Sequence, residues 1–479
     1  MCNARSPGLV LGVTTIATWA ILTSGGVGAQ PADPALIEEG RRLFAEETFD
    51  GNGRTCATCH PPSNNFTIDP AFIRTLKGTD PLFLTGPSLP ELKPIEVRRL
   101  LRNHALILEN VDGLDQPGVL RGVPHTLGLT HSLEPDSTLA AAGITQATGW
   151  SGDGSPDDGS LRSFAKGAVK QHFTKSPNRV AGVDFREPTE EELDALEAFQ
   201  LSLGRQGEVI LEDLTFTDGF VEDGKALFED APSRNGRGRG CSFCHDNAGA
   251  NASGINRNFA TGTMFMANVP ACLLGFVAPY DGGFGVEPNV EVARADVCGN
   301  GPRGGPKAAS NYQGDLTMNT PSLIEAADTP PFFHSNTAET IEDAVAFYTS
   351  DTFDDSPAGG GNAFVLGTDE INQIAAFLRA FNALENIRSS NAYDERAVDP
   401  AELAPADELV DLAIAETTDA IEVLTDGPVE LFAGTAAVQL LEEARELERQ
   451  ALEQDPPSTD LVEAAIELKE EARVEMVGE

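Results

Sequence analysis

Two five-residue runs, Cys56-Ala-Thr-Cys-His60 and Cys241-Ser-Phe-Cys-His245, constrain this chain more than any other feature. In each, two thiols three positions apart are followed at once by an imidazole. That spacing lets both sulfurs form thioethers to one porphyrin edge and sets a histidine nitrogen under the metal. Each run therefore predicts one covalently bound haem c (iron), held by Cys56, Cys59 and His60 in one case and by Cys241, Cys244 and His245 in the other. A zinc half-site or a redox dithiol uses the same thiol spacing, but zinc needs a second Cys or His pair, and none stands near either run.

What flanks the runs is also repeated. Gly40-Arg-Arg-Leu-Phe44 precedes Cys56 by twelve residues, and Gly224-Lys-Ala-Leu-Phe228 precedes Cys241 by thirteen. Both lie late in stretches with helical apolar spacing, and a glycine on the apolar side permits close helix approach. Downstream, the stretches 189–199 and 368–377 share a threonine N-cap, acids in the first turn and apolar residues at helical spacing. Each run is thus bracketed by an entry helix and a closing helix, with glycine-rich loops between. The expected fold is mainly α: two tandem cytochrome c domains with long loops, over 30–205 and 206–390, plus a C-terminal helical extension over 391–479. In that extension, 404–424, 429–454 and 460–477 read as three amphipathic helices without His, Cys, Trp or Tyr, suited to packing, docking or a homodimer.

The first 29 residues carry one positive charge, an apolar stretch and Val27-Gly-Ala29, the order of a cleaved signal peptide; a membrane anchor is the alternative. No later run is long enough to span a bilayer. The mature chain is expected in an oxidising periplasm, where Cys272 and Cys298, the pair left after haem attachment, would form a disulfide or remain two buried thiols. A net charge of −42 argues against nucleic acid or anionic lipid as partner; it suits a basic redox partner or a solvated acidic surface.

With Pro330-Pro-Phe-Phe-His334 and the helix-like run from Thr340 to Tyr348 added, the chain resembles the bacterial di-haem cytochrome c peroxidase and MauG family over about Ala35 to Leu384. The resemblance implies that the first haem meets hydrogen peroxide while the second passes electrons from a small redox protein. It implies Tyr348 as second axial ligand of the second iron, where classical peroxidases use methionine and MauG-type enzymes tyrosine; Met318, Met264 and Met266 compete. A phenolate is a hard donor that favours oxidised iron. Gly149-Trp-Ser-Gly-Asp153 matches a family element that would set Trp150 between the haems. The family's distal glutamine and glutamate fall here near Phe164 and Thr174, which leaves His172 or Gln171 to move the peroxide proton, with His125, His104 and His131 as rivals. The alternative role for His172 is to ligate the iron itself. Calcium is admitted but not required, since Thr329 and Pro331 match two donors while Gly122 replaces an asparagine. Three activities follow from the resemblance: peroxide reduction, MauG-like oxidation of a protein or organic substrate, and electron carriage without catalysis.

Overall fold

A glycine fixes the first helix crossing. Helices α1 (Pro34–Glu46), α2 (Leu161–His172) and α3 (Glu190–Ser202) build the first half of the computed structural model. The Asp33 carboxylate accepts from Ala35 N at 3.0 Å and Pro34 takes the first helical position, so α1 starts where a spare N–H costs nothing. It buries Gly40, Leu43 and Phe44 against α3. A Cβ on Gly40 would lie 2.0 Å from Ala195 O, so the backbones meet only because none is there. One turn on, the Phe44 and Phe199 rings pack with centroids 5.2 Å apart. Thr189 caps α3 through Glu192 N at 3.2 Å, while the Glu192 carboxylate accepts from Thr189 N at 2.8 Å.

The second half repeats this arrangement with helices α4 (Gly219–Glu229), α5 (Ile341–Phe347) and α6 (Thr368–Ala397). A Cβ on Gly224 would lie 1.9 Å from Gln373 O, and the Phe228 and Phe377 rings sit 5.1 Å apart. One detail differs from the expected cap. Thr368 is already helical, and Gly367 is the cap, its N–H donating to Glu370 Oε2 at 2.6 Å. Glycine leaves room for extended backbone there and Glu370 supplies the missing acceptor.

Residues 33–84, 89, 91–92, 98–109, 119–150, 158–207, 209–249, 255–266 and 317–478 are described by the structure. The expected leader, Cys272, Cys298 and their expected disulfide, and the Met264 side chain lie outside these residues. Strands are short: β1 (Ile107–Glu109) pairs antiparallel with β2 (Val119–Arg121) in the first half. Across the junction, β3 (Glu134–Pro135) pairs parallel with β4 (Ile255–Asn256). In the second half, β5 (Asn258–Phe259) pairs antiparallel with β6 (Met318–Asn319). Asn256, fully buried, donates to Ser132 O at 2.8 Å and Thr320 O at 3.2 Å.

Beyond α6 come α7 (Ala406–Thr425), α8 (Ala437–Leu452) and α9 (Thr459–Val477). Two features depart from expectation. The division placed at 390/391 falls inside α6, which runs unbroken for 30 residues from the second half into the extension. The middle helix starts at Ala437 rather than Val429, because Leu431 and Phe432 turn inward to the core around Phe216 and Phe377. Phe432 N donates to Asp218 Oδ2 at 2.9 Å there, with φ at +56°, which helix cannot accommodate. No helix among the described residues is long and apolar enough to cross a membrane.

Candidate active site

Beside the first run opens a cavity with about 1160 Å³ of empty space, solvent at its mouth included. Cys56, Cys59 and His60 form part of its wall, and Trp150, Phe164, Gln171 and His172 form another. Residues more than one hundred positions apart in the chain converge there because α2 lies over the first run. The turn after His60 sets the imidazole: Asn65 and Phe66 both take left-handed backbone, φ +51° and +52°, and the Phe66 carbonyl comes back to accept from His60 Nδ1 at 2.9 Å. A proton on Nδ1 leaves the Nε2 lone pair for a metal. Burial holds the imidazole below its ordinary pKa, so the ring is neutral, and the same burial pushes the Cys56 thiol up to about 12. Redox dithiols need the opposite shift.

At the far wall, Asn52 Nδ2 donates to His172 O at 2.8 Å and Thr174 O at 2.9 Å, fixing the end of α2. His104, His125 and His131 do not line the cavity; His131 Nε2 lies 3.1 Å from Arg205 O instead. Burial, and after it the electrostatic influence of nearby His60, push His125 down to about 4; its Nδ1 is buried without a hydrogen-bond partner among the described residues. Thr174 is buried and bonded to Ser176 O at 2.6 Å, away from the cavity wall.

Trp150 ties the halves together. Its indole N–H donates to Gly122 O at 2.8 Å, and its own carbonyl accepts from Asn319 N at 2.8 Å in β6. Asn319 Nδ2 also donates to Ala147 O and Gly149 O, at 3.1 and 3.0 Å. Two cations of the wall were not singled out in the sequence: Arg54, buried and donating to Leu82 O at 2.5 Å, and Arg121, paired with Glu109 at 2.7 Å. Arg54 stands two residues before Cys56, which is the one local signal it carries.

The second run repeats the anchoring of the histidine. His245 Nδ1 donates to Pro321 O at 3.0 Å, and burial pushes the imidazole down to about 4. The Cys241 thiol is pushed up to about 12, also by burial, and the Cys244 thiol to about 11. Tyr348 closes α5 and sits 5.2 Å from the Phe347 ring and 5.0 Å from the Phe353 ring. Burial, and then the nearby Cys244 and Cys241, keep its phenol protonated. Met266 packs on the same aromatic group. Met318 is buried on β6 opposite Phe259.

His334 is buried at the junction, where its carbonyl accepts from Gly122 N at 2.7 Å. The asparagine absent at 122 is replaced in space: a Cβ on Gly122 would lie 2.1 Å from Asn336 Oδ1. The Asn336 amide donates to His104 O at 2.8 Å and Ala105 O at 3.2 Å, leaving that oxygen as a side-chain acceptor near the junction.

The build is mainly helical, and of the two matched Cys-x-x-Cys-His runs the first opens on a cavity. No family model matches the chain. It is 24% identical over 361 residues to the protein named cytochrome-c peroxidase IdrP2 of Pseudomonas sp. (strain SCT), covering 73% of this chain and 82% of that one. That similarity supports a peroxidase-type oxidoreductase.

Proposed function

We propose that this chain is a periplasmic di-haem c-type oxidoreductase that reduces hydrogen peroxide at the first centre with electrons relayed through the second. The carrying observation is the convergence of Cys56, Cys59 and His60 with Trp150, Phe164, Gln171 and His172 on one cavity. The donor sets fit haem c: each histidine is half-buried, held below its ordinary pKa and anchored through Nδ1, and each follows directly on its pair of thiols. When bound, haem iron supplies a binding position for peroxide and a store of redox equivalents.

Peroxide takes two electrons and two protons to become two waters. His60 and His245 would be the proximal ligands, and Tyr348 the outer ligand of the second centre. His172, with Gln171 beside it, would take the proton from one peroxide oxygen and deliver it to the departing one, the task that general acid-base catalysis performs. Phe164 keeps that space apolar. Trp150, bonded to both halves, would pass electrons between them. Arg54 and Arg121 would neutralise the acidic edge of the cofactor. Calcium, where held, would take the Thr329 and Pro331 carbonyls that the resemblance implies, with Asn336 Oδ1 beside Gly122 as the side-chain oxygen in place of the missing asparagine.

A MauG-like oxidation of a protein or organic substrate is the second reading, favoured by the Tyr348 phenol lying near Cys244 and Cys241 of the second run. Mass analysis of exported protein should show two porphyrin adducts, and the ferric spectrum should change on adding peroxide. His172→Ala should lower peroxide turnover by about 10²- to 10⁴-fold with both adducts retained. No adducts, or a spectrum indifferent to peroxide, would overturn the reading; two unresponsive centres would mark an electron carrier.

A further inference from the structure

The second run lies in a basic island. Between positions 231 and 262 there are four arginines and one acid, Asp246, in a chain whose net charge is −42. The first run has no such setting: between 48 and 84 three acids face three basic residues. Of the four arginines, Arg234 is used internally, paired with Asp351 at 2.8 Å and Asp354 at 3.0 Å. Arg237, Arg239 and Arg257 are exposed and have no carboxylate partner among the described residues.

An apolar anchor sits in the same place. Phe243, between the two cysteines of the run, is 52% exposed, and the Arg239 guanidinium stacks over its ring at 4.1 Å. Phe259 lies 6.4 Å away, on the strand that follows Arg257. Both Arg239 and Arg257 are near enough to Cys244 to act on it electrostatically. An exposed aromatic with a stacked arginine, beside further arginines that have no carboxylate partner among the described residues, has the composition of a binding hot spot.

We propose that Arg237, Arg239, Phe243 and Arg257 form the docking surface for the electron donor, and that the donor is a small redox protein with carboxylates around its exposed redox edge. This rests on the peroxidase reading above and adds the sign of the partner. The chain's overall charge would attract a basic protein; the surface over the second centre selects an acidic one, because short-range complementarity at the contact outweighs a distant field that salt screens within about 10 Å. Each encounter moves one electron from the reduced donor to the second centre, and two encounters match one peroxide.

Two small c-type cytochromes of similar size, one acidic and one basic, serve as probes against the holoprotein. Calorimetric titration at low salt should show binding of the acidic probe that weakens as salt rises. The triple variant Arg237→Glu, Arg239→Glu, Arg257→Glu should weaken it at least about tenfold. Arg257→Gln, outside the attachment loop, should weaken it about threefold, which guards against a misfolded triple variant. Peroxide turnover with hydroquinone, a neutral small reductant, should be unchanged in both. A triple variant that binds the acidic probe like the parent, or a parent that prefers the basic probe, overturns the docking surface. Absent hydroquinone turnover in the parent would strike the peroxidase reading instead, and the titration would still decide the surface.

Discussion

A single carbonyl oxygen decides what the histidine of each run can offer: Phe66 O and Pro321 O take the Nδ1 protons and leave Nε2 as a free donor atom. The histidines themselves could be read from their runs. Their acceptors could not, because Pro321 lies 76 residues from His245 and only folding brings it there. Arg54, Arg121 and Asn336 were hidden for the same reason, since a lone arginine or asparagine carries no period or spacing of its own. Tyr348 was singled out through the family resemblance, by its distance from His334; in the fold its phenol feels Cys244 and Cys241. Tyr348→Phe keeps the aromatic stack and removes one oxygen. The optical and magnetic spectra of the second centre should change while stability stays within about 1 kcal/mol. Tyr348→Met should raise that centre's midpoint potential by a fraction of the roughly 0.8 V that axial ligation spans. An unchanged spectrum in Tyr348→Phe would hand the ligand position to Met266 or Met318.

At the level of helices, both crossings depend on a missing methyl. Gly40 and Gly224 were legible as glycines on apolar faces four residues before a phenylalanine, and in the fold each meets a carbonyl that a Cβ would overlap. Gly40→Ala and Gly224→Ala should each cost about 1–3 kcal/mol through forced separation of packed helices, despite alanine's better helix propensity. Thermal melts would show this as a drop of roughly 2–12 °C. A melt as high as the parent's would mean the helices can part without loss. The middle helix of the extension was read too early for a related reason: Val429 to Ala436 has a plausible apolar pattern, but Leu431 and Phe432 serve another core. Periodicity reports which residues are buried, not against what.

Over the whole molecule, the extension closes on the second half through an acidic seam. Asn382 and Asn386 both donate to Asp328 Oδ2 at 2.8 Å, Asn386 also reaches Glu416 Oε2 at 3.2 Å, and Asn65 from the first half donates to Asp419 Oδ2 at 3.1 Å. Burial is the largest cause of a raised pKa throughout: Asp328 to about 6, Asp419 to about 8, and Glu325 and Glu416 well above the usual range. The folded chain therefore holds protons that the unfolded chain releases. Their contribution to stability is full below the ordinary carboxylate range near 4, shrinks as pH rises, and is gone above about 6 for Asp328 and about 8 for Asp419. The melting temperature should fall on the order of 5 °C between pH 5 and pH 8, and Asp419→Asn should flatten that slope. A flat profile in the parent would show that the seam is compensated from outside.

None of this seam was visible in a count of 75 acids, because composition does not say which carboxylates lose water.

The unbroken α6 has a mechanical meaning. Its 30 residues make a strut about 45 Å long, with Gln373 and Phe377 gripping the entry helix of the second centre at one end and Ser390 and Asp394 clamped by Lys469 at the other. Shearing off the C-terminal bundle would therefore not trim a tail; it would unseat the beam on which the second centre's helix is hung.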